Sequence, residues 1–304
     1  MKNSFLKILF GIILGSVTAV SIAQTSPAPA PAAASASAAA AAAPVRQSNV
    51  HPVSKNITAR LANSPRHFDI VKIKQGDREV ETYVFYPMTK DKAMAVVLIH
   101  EIFGASDWMR AAADQLAEAG YIVLVPDLLS GMGPNKGGTN DFADTQVTAG
   151  VQRLPADQVM ADLSAVADYA KKLDACNGKI AVGGFCWGGG KAFAFSTVNK
   201  DIKAAFVFYG APMLPVAEMS KVNCPVYGFY GEADARISAS VPAETDAMKA
   251  AGKTYDAIVY PGAAHGFMRL GQMDDSSVAN KKAAEDSWKR MLDLLAKLNA
   301  PAAK

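Results

Sequence analysis

The chain has 304 residues, 50% of them hydrophobic and 19% charged, which is enough apolar material for one sizeable core. Its 31 basic residues nearly balance its 28 acidic ones, and no basic cluster occurs. That excludes the electrostatic footprint of a nucleic-acid-binding protein.

The first 23 residues stand apart from that core. Lys2 and Lys7 precede an almost uninterrupted apolar run over 8–20, and Ser21-Ile22-Ala23 presents small residues where a signal peptidase reads. The run is shorter than the roughly 18–20 apolar residues a spanning helix needs. The expectation is therefore a signal peptide over 1–23 and a mature chain that is periplasmic or secreted, with no stable membrane anchor. Residues 24–44 are nearly all Ala, Pro and Ser without charge, a composition that stays solvated. The segment 24–67 is read as an Ala/Pro-rich linker and disordered amino-terminal stretch, and 68–304 as the folded domain.

Past residue 68, strand and helix patterns alternate. An edge hairpin is predicted near 70–74 and 80–86, around Gln75-Gly76-Asp77. Further apolar runs at 95–99, 121–125, 179–183, 204–208, 225–230 and 256–260 read as strands. Helical periods fall at 107–119, 156–173, 188–198, 242–251 and 278–298. Continuous apolar strands with helical crossovers predict an α/β fold, a mostly parallel sheet with helices on both faces. Residues 130–150, with five glycines, are expected to form a long loop overhanging the carboxyl end of the sheet.

There are three cysteines, Cys176, Cys186 and Cys224. A bridge between Cys176 and Cys224 is left open by sequence. Cys186 lies in Gly184-Phe185-Cys186-Trp187-Gly188, between a predicted strand and a predicted helix. This is a nucleophile elbow with cysteine in place of serine, in which flanking glycines leave room for a strained turn. The helix amino terminus behind the sulfur is expected to favour thiolate over thiol.

Partners for the sulfur follow in chain order. Asp234 comes just after the strand 225–230, and His265 just after the strand 256–260. Nucleophile, acid and histidine, each at the carboxyl end of its own strand, is the order found in α/β-hydrolases. His265 is assigned as the base and Asp234 as the group that orients it, with Glu232 as the rival acid.

With those residues in place, the chain resembles the dienelactone hydrolase (carboxymethylenebutenolidase) family over most of 68–298. The resemblance rests on His100-Glu101-Ile102-Phe103-Gly104, Trp108-Met109-Arg110, Pro126-Asp127-Leu128, Gly184-Phe185-Cys186-Trp187-Gly188-Gly189 and His265-Gly266-Phe267-Met268-Arg269. It implies that Glu101 helps deprotonate the thiol when substrate binds. It also implies that the backbone N–H groups of Ile102 and Trp187 form an oxyanion hole, and that Arg269 and Phe103 contact substrate, Arg269 through a carboxylate. A second substrate arginine of the family has no counterpart, Thr145 standing at that position, and Gly266 replaces a serine.

The resulting expectation is a monomeric enzyme that hydrolyses a small-molecule ester or lactone through an acyl-enzyme. With no metal-ligand set and no phosphate loop, no cofactor is called for. Two alternatives fit the same residues: a carboxylesterase or thioesterase of broader range, and a non-catalytic binding protein on this fold.

Overall fold

The computed structural model describes residues 55–211 and 214–300. The predicted signal peptide and the Ala/Pro stretch lie outside the described residues. The described chain opens with helix α1 (Lys55–Asn63), then the hairpin β1 (Phe68–Gln75) and β2 (Arg78–Phe85), joined through Gly76 at φ +57°. Strand β3 (Ala93–Ile99), helix α2 (Asp107–Glu118) and strand β4 (Ile122–Pro126) follow. After α3 (Asp144–Gln152) and α4 (Ala156–Lys172) come β5 (Cys176–Phe185), α5 (Trp187–Val198), β6 (Ile202–Phe208) and β7 (Val226–Gly231). The chain closes with α6 (Ala235–Ser238), α7 (Val241–Ala250), β8 (Tyr255–Tyr260), α8 (Phe267–Leu270) and α9 (Val278–Asn299).

The strands form one sheet in the order β1-β2-β4-β3-β5-β6-β7-β8. β1 and β2 are antiparallel at one edge, β2 meets β4 antiparallel, and every other pairing is parallel. The chain leaves β3 for β4 on one side and returns to β5 on the other, so the strand order reverses at β3. Open α/β sheets bind ligands in the crevice beyond the strand ends at such a reversal. The turn after β3 and the turn after β5 both open there.

Both faces of the sheet are covered. In β3, every residue is buried; Met94, Val96 and Leu98 pack with Trp108 and Leu116 of α2 and Met291 of α9. Ala95, Val97 and Ile99 point the other way, to Val166 of α4 and Phe193 of α5. A strand apolar at every position is what two covered faces require, because its side chains alternate between them.

Two expectations are corrected and one question left open by the sequence is answered. The segment read as linker to residue 67 contains α1, docked on α2 by buried Ile57 and by ion pairs of Arg60 and Arg66 with buried Asp114, which Ser64 also contacts. Its one fully buried apolar residue leaves too weak a period to read from sequence. The loop 130–150 holds a 3-10 turn at 139–141 and the start of α3, whose Val147 and Val151 are buried. Cys176 and Cys224 are free thiols. Cys176 opens β5 and Cys224 precedes β7, with β6 in between; two strand spacings, about 9–10 Å, exceed the reach of a disulfide.

Candidate active site

The elbow forms because β5 runs into α5 with a single residue between them. Cys186 occupies that position at φ +55°, ψ −118°, a conformation L-residues rarely adopt. The flanking glycines are sterically required. A Cβ on Gly184 would lie 2.0 Å from the Gly188 carbonyl oxygen, and one on Gly188 would lie 2.4 Å from the Ile99 carbonyl oxygen. The Cys186 amide is tied to the Phe208 carbonyl at 3.0 Å.

His265 arrives from the turn after β8, with Nε2 3.0 Å from the Cys186 sulfur. Its Nδ1 is 2.5 Å from Asp234 Oδ2, and Asp234 is 7% exposed. The sequence rival Glu232 is exposed and its carboxylate accepts the Gly262 amide at 2.9 Å, away from the histidine. The backbone N–H groups of Trp187 and Ile102 are both directed at the sulfur. Sulfur, imidazole, carboxylate and paired amides thus converge from four separate turns.

Glu101 is buried in the turn after β3, and its Oε2 accepts Arg269 Nε at 2.9 Å. The Arg269 guanidinium also lies 5.2 Å from the centre of the Phe103 ring. Burial pushes the Glu101 carboxyl up, while the Arg269 charge and its hydrogen bond pull it back. Burial, then the nearby Glu101 charge, pushes the Cys186 thiol up to about 11, against the Trp187 and Ile102 amides that favour the thiolate. The expected pull of the helix amino terminus toward thiolate is thus opposed by desolvation and a facing carboxylate.

Thr145 is exposed on α3, so no cation replaces the family's second arginine there. Two residues not singled out from sequence border the site. Tyr209, at φ +39° just past β6, is fully buried, meets the His265 ring edge-on at 5.2 Å and faces Glu101. Arg236, exposed in α6, extends its charge to the Cys186 sulfur. Their position past the carboxyl ends of β6 and β7, on the elbow's side of the sheet, was the available signal. Among the described residues no group of three or more His, Cys, Asp or Glu side chains is set to hold a metal ion.

The sequence profile of the dienelactone hydrolase family matches residues 80–299, which includes every one of these residues. The chain belongs to the dienelactone hydrolase family. Among dienelactone hydrolase relatives, a Salmonella typhimurium protein provisionally named carboxymethylenebutenolidase is 32% identical over 267 residues, covering 84% of this chain and 93% of its own. An Escherichia coli K12 protein of the same provisional name is 32% identical over 268 residues, covering 83% and 96%. A crystal structure from Klebsiella pneumoniae, provisionally named dienelactone hydrolase, superposes with a TM-score of 0.67 at 28% identity, covering 76% of this chain and 99% of that one. The acylaminoacyl peptidase of Pyrococcus horikoshii, at 14% identity and a TM-score of 0.60, shares the fold alone, across 79% of this chain and 43% of its own. The chain is accordingly a dienelactone hydrolase-like hydrolase on the α/β-hydrolase fold.

Proposed function

We propose that this hydrolase cleaves a carboxylic ester or lactone bond through a thioester acyl-enzyme on Cys186. The observation that carries the reading is the continuous contact from Asp234 through His265 to the strained Cys186, at 2.5 and 3.0 Å. A carboxylate on the substrate competes with Glu101 for Arg269. Glu101, released beside the sulfur, helps strip the thiol proton, which His265 then carries. The sulfur attacks the acyl carbon, and the Ile102 and Trp187 amides receive the oxyanion. The carbon–oxygen bond breaks, and His265 gives its proton to the leaving oxygen; in a lactone that oxygen stays in the same molecule. His265 next takes a proton from water, whose oxygen attacks the thioester, and returns it to the departing sulfur. Acid and thiol are restored with no net change in the enzyme.

The test is turnover by the purified protein of a panel holding dienelactone, p-nitrophenyl esters and acyl thioesters. Burst release of p-nitrophenol equal to the enzyme present, blocked by iodoacetamide, supports the acyl-enzyme. Absence of turnover on every member of the panel overturns the reading. The segment of Lys2, Lys7, the apolar run and Ser21-Ile22-Ala23 supports export to the periplasm or medium. Among the described residues no helix is long and apolar enough to cross a membrane. Cell fractionation, with the amino terminus of the exported chain sequenced, tests that assignment; retention of the full-length chain in the cytoplasm overturns it.

A further inference from the structure

The hydrolytic cycle above leaves the segment after β4 without a part. Its fixed point is Asp127, immediately after β4 and 1% exposed. One carboxylate oxygen of Asp127 accepts the Thr139 amide at 2.6 Å, and the other accepts the Thr139 hydroxyl at 2.8 Å and the Leu129 amide at 3.1 Å. The Thr139 oxygen in turn accepts the Ala105 amide at 3.0 Å. Thr139 therefore uses its hydroxyl as donor and acceptor at once, joining the end of β4 to the turn after β3.

That turn carries Ile102, one of the two amides aimed at the sulfur. It is closed by the Gly104 amide on the Glu101 carbonyl at 3.2 Å, and His100 Nδ1 meets the same carbonyl at 2.7 Å. Its far end, at Ala105, is held from outside by Thr139. The fit is tight as well as hydrogen-bonded. A Cβ on Gly104, which sits at φ +68°, would lie 2.2 Å from the Thr139 hydroxyl oxygen, and one on Gly138 would lie 2.2 Å from an Asp127 carboxylate oxygen. Two glycines thus give up their side-chain space to let this pair approach the turn.

We propose that Thr139, anchored by Asp127, is a positioning residue that sets the Ile102 amide for the oxyanion. The role rests on the acyl-transfer reading above and adds to it the function of the segment after β4. An amide contributes to an oxyanion hole only when it is held at the position where charge develops, and losing such a donor costs catalysis and not binding. Val has the shape of Thr without the hydroxyl. Thr139→Val takes the partner of the buried Ala105 amide, leaves one Asp127 oxygen with the Leu129 amide alone, and lets the turn relax.

The experiment measures p-nitrophenyl acetate turnover by Thr139→Val, Thr139→Ser and Thr139→Ala proteins, with butyraldehyde and butyrate as inhibitors. Butyraldehyde forms a thiohemiacetal whose oxygen seeks the hole; butyrate carries no such adduct. Expected for Thr139→Val are a kcat at least tenfold lower, a KM within twofold of wild type, and butyraldehyde binding weakened at least fivefold with butyrate unchanged. Thr139→Ser is expected to recover most of the kcat. If the Val protein does not fold, Ser and Ala make the same comparison at equal loss of the methyl group, and Ala is expected to be at least tenfold slower than Ser. Wild-type kcat in Thr139→Val, equal rates for Ser and Ala, or parallel losses for aldehyde and butyrate overturn the proposal. Wild-type protein that turns over no ester overturns the hydrolase reading itself, a result separate from either.

Discussion

Arg269 holds Glu101 across 2.9 Å, so a cation of the site and the carboxylate beside the thiol neutralise one another before substrate arrives. Glu101 is 2% exposed, whereas the Arg269 side chain retains 23% of its surface. The guanidinium can therefore turn to an incoming anion while the carboxylate stays behind. Under the proposed mechanism, binding and activation become one event.

Arg269→Ala is expected to separate anionic from neutral substrates. A charge-assisted hydrogen bond contributes about 1.5–3 kcal/mol, roughly 10- to 100-fold in kcat/KM. Loss of that size on carboxylate-bearing esters, with neutral p-nitrophenyl esters changed less than about threefold, is the predicted pattern. Equal losses on both classes would show that Arg269 serves the site without reading the substrate.

Glu101→Gln is expected to act with opposite sign on two rates. The Glu101 charge helps hold the thiol near 11, so removing it lowers the thiol pKa and raises the thiolate fraction at neutral pH. Iodoacetamide alkylation of the resting variant at pH 7.5 should be faster than in wild type, and hydrolysis of carboxylate-bearing esters slower. In wild type the alkylation rate should climb about tenfold per pH unit from 7 to 9 without a plateau. A plateau below pH 8 would mean that the resting sulfur is already ionised.

Cys186 combines the chemistry with the strain. Cys186→Ala should abolish turnover while leaving the fold intact, and Cys186→Ser should retain weak esterase activity. Cys186→Gly removes the cost of φ +55° for a side-chain-bearing residue, about 1–3 kcal/mol less the extra entropy of glycine in the unfolded chain. The Gly variant should be more stable than the Ala variant by about 1 kcal/mol in chemical denaturation. Equal midpoints would show that the elbow is not strained.

Stability should carry a pH signature from Asp162, whose carboxyl is raised from 3.8 to about 6 by burial against the opposing charge of Arg78 at 3.2 Å. Between about pH 4 and 6 the folded chain retains a proton that the unfolded chain has released. The stability from this group is full below about pH 4 and lost as pH rises through 6. Asp162→Asn cannot ionise. Relative to wild type, the variant should gain about 1–2 kcal/mol between pH 4 and pH 7, a figure below the full shift because solvent reaches part of the pair. A difference independent of pH would assign the Asp162 charge no cost.

Much of the site was legible because its residues sit at strand ends, where apolar runs stop and glycines cluster. The run 179–183 followed by Gly-x-Cys-x-Gly implies a turn whatever the rest of the chain does, since a side chain on Gly184 would strike the Gly188 carbonyl within the turn itself. Asp234 and His265 were found by the same rule. Tyr209 was not, because an aromatic residue ending a strand looks like core until the site forms around it. α1 was missed for a related reason: its attachment is a set of ion pairs to Asp114, a residue some fifty positions away, and not a local apolar period.

What the sequence determined by itself is local: the alternation of strands and helices, the side-chain chemistry of Cys186, His265 and Asp234, and the backbone tolerance that Gly184 and Gly188 provide. Those follow from periodicity and sterics over a few residues. Tertiary structure alone decided which charges meet. Glu101 and Arg269 are separated by 168 positions, and their contact, the burial of Glu101 and the upward push on the thiol exist only once β3, β5 and β8 share one sheet edge. Electrostatic energies depend on distance and on exclusion of water, and neither is written in the order of residues.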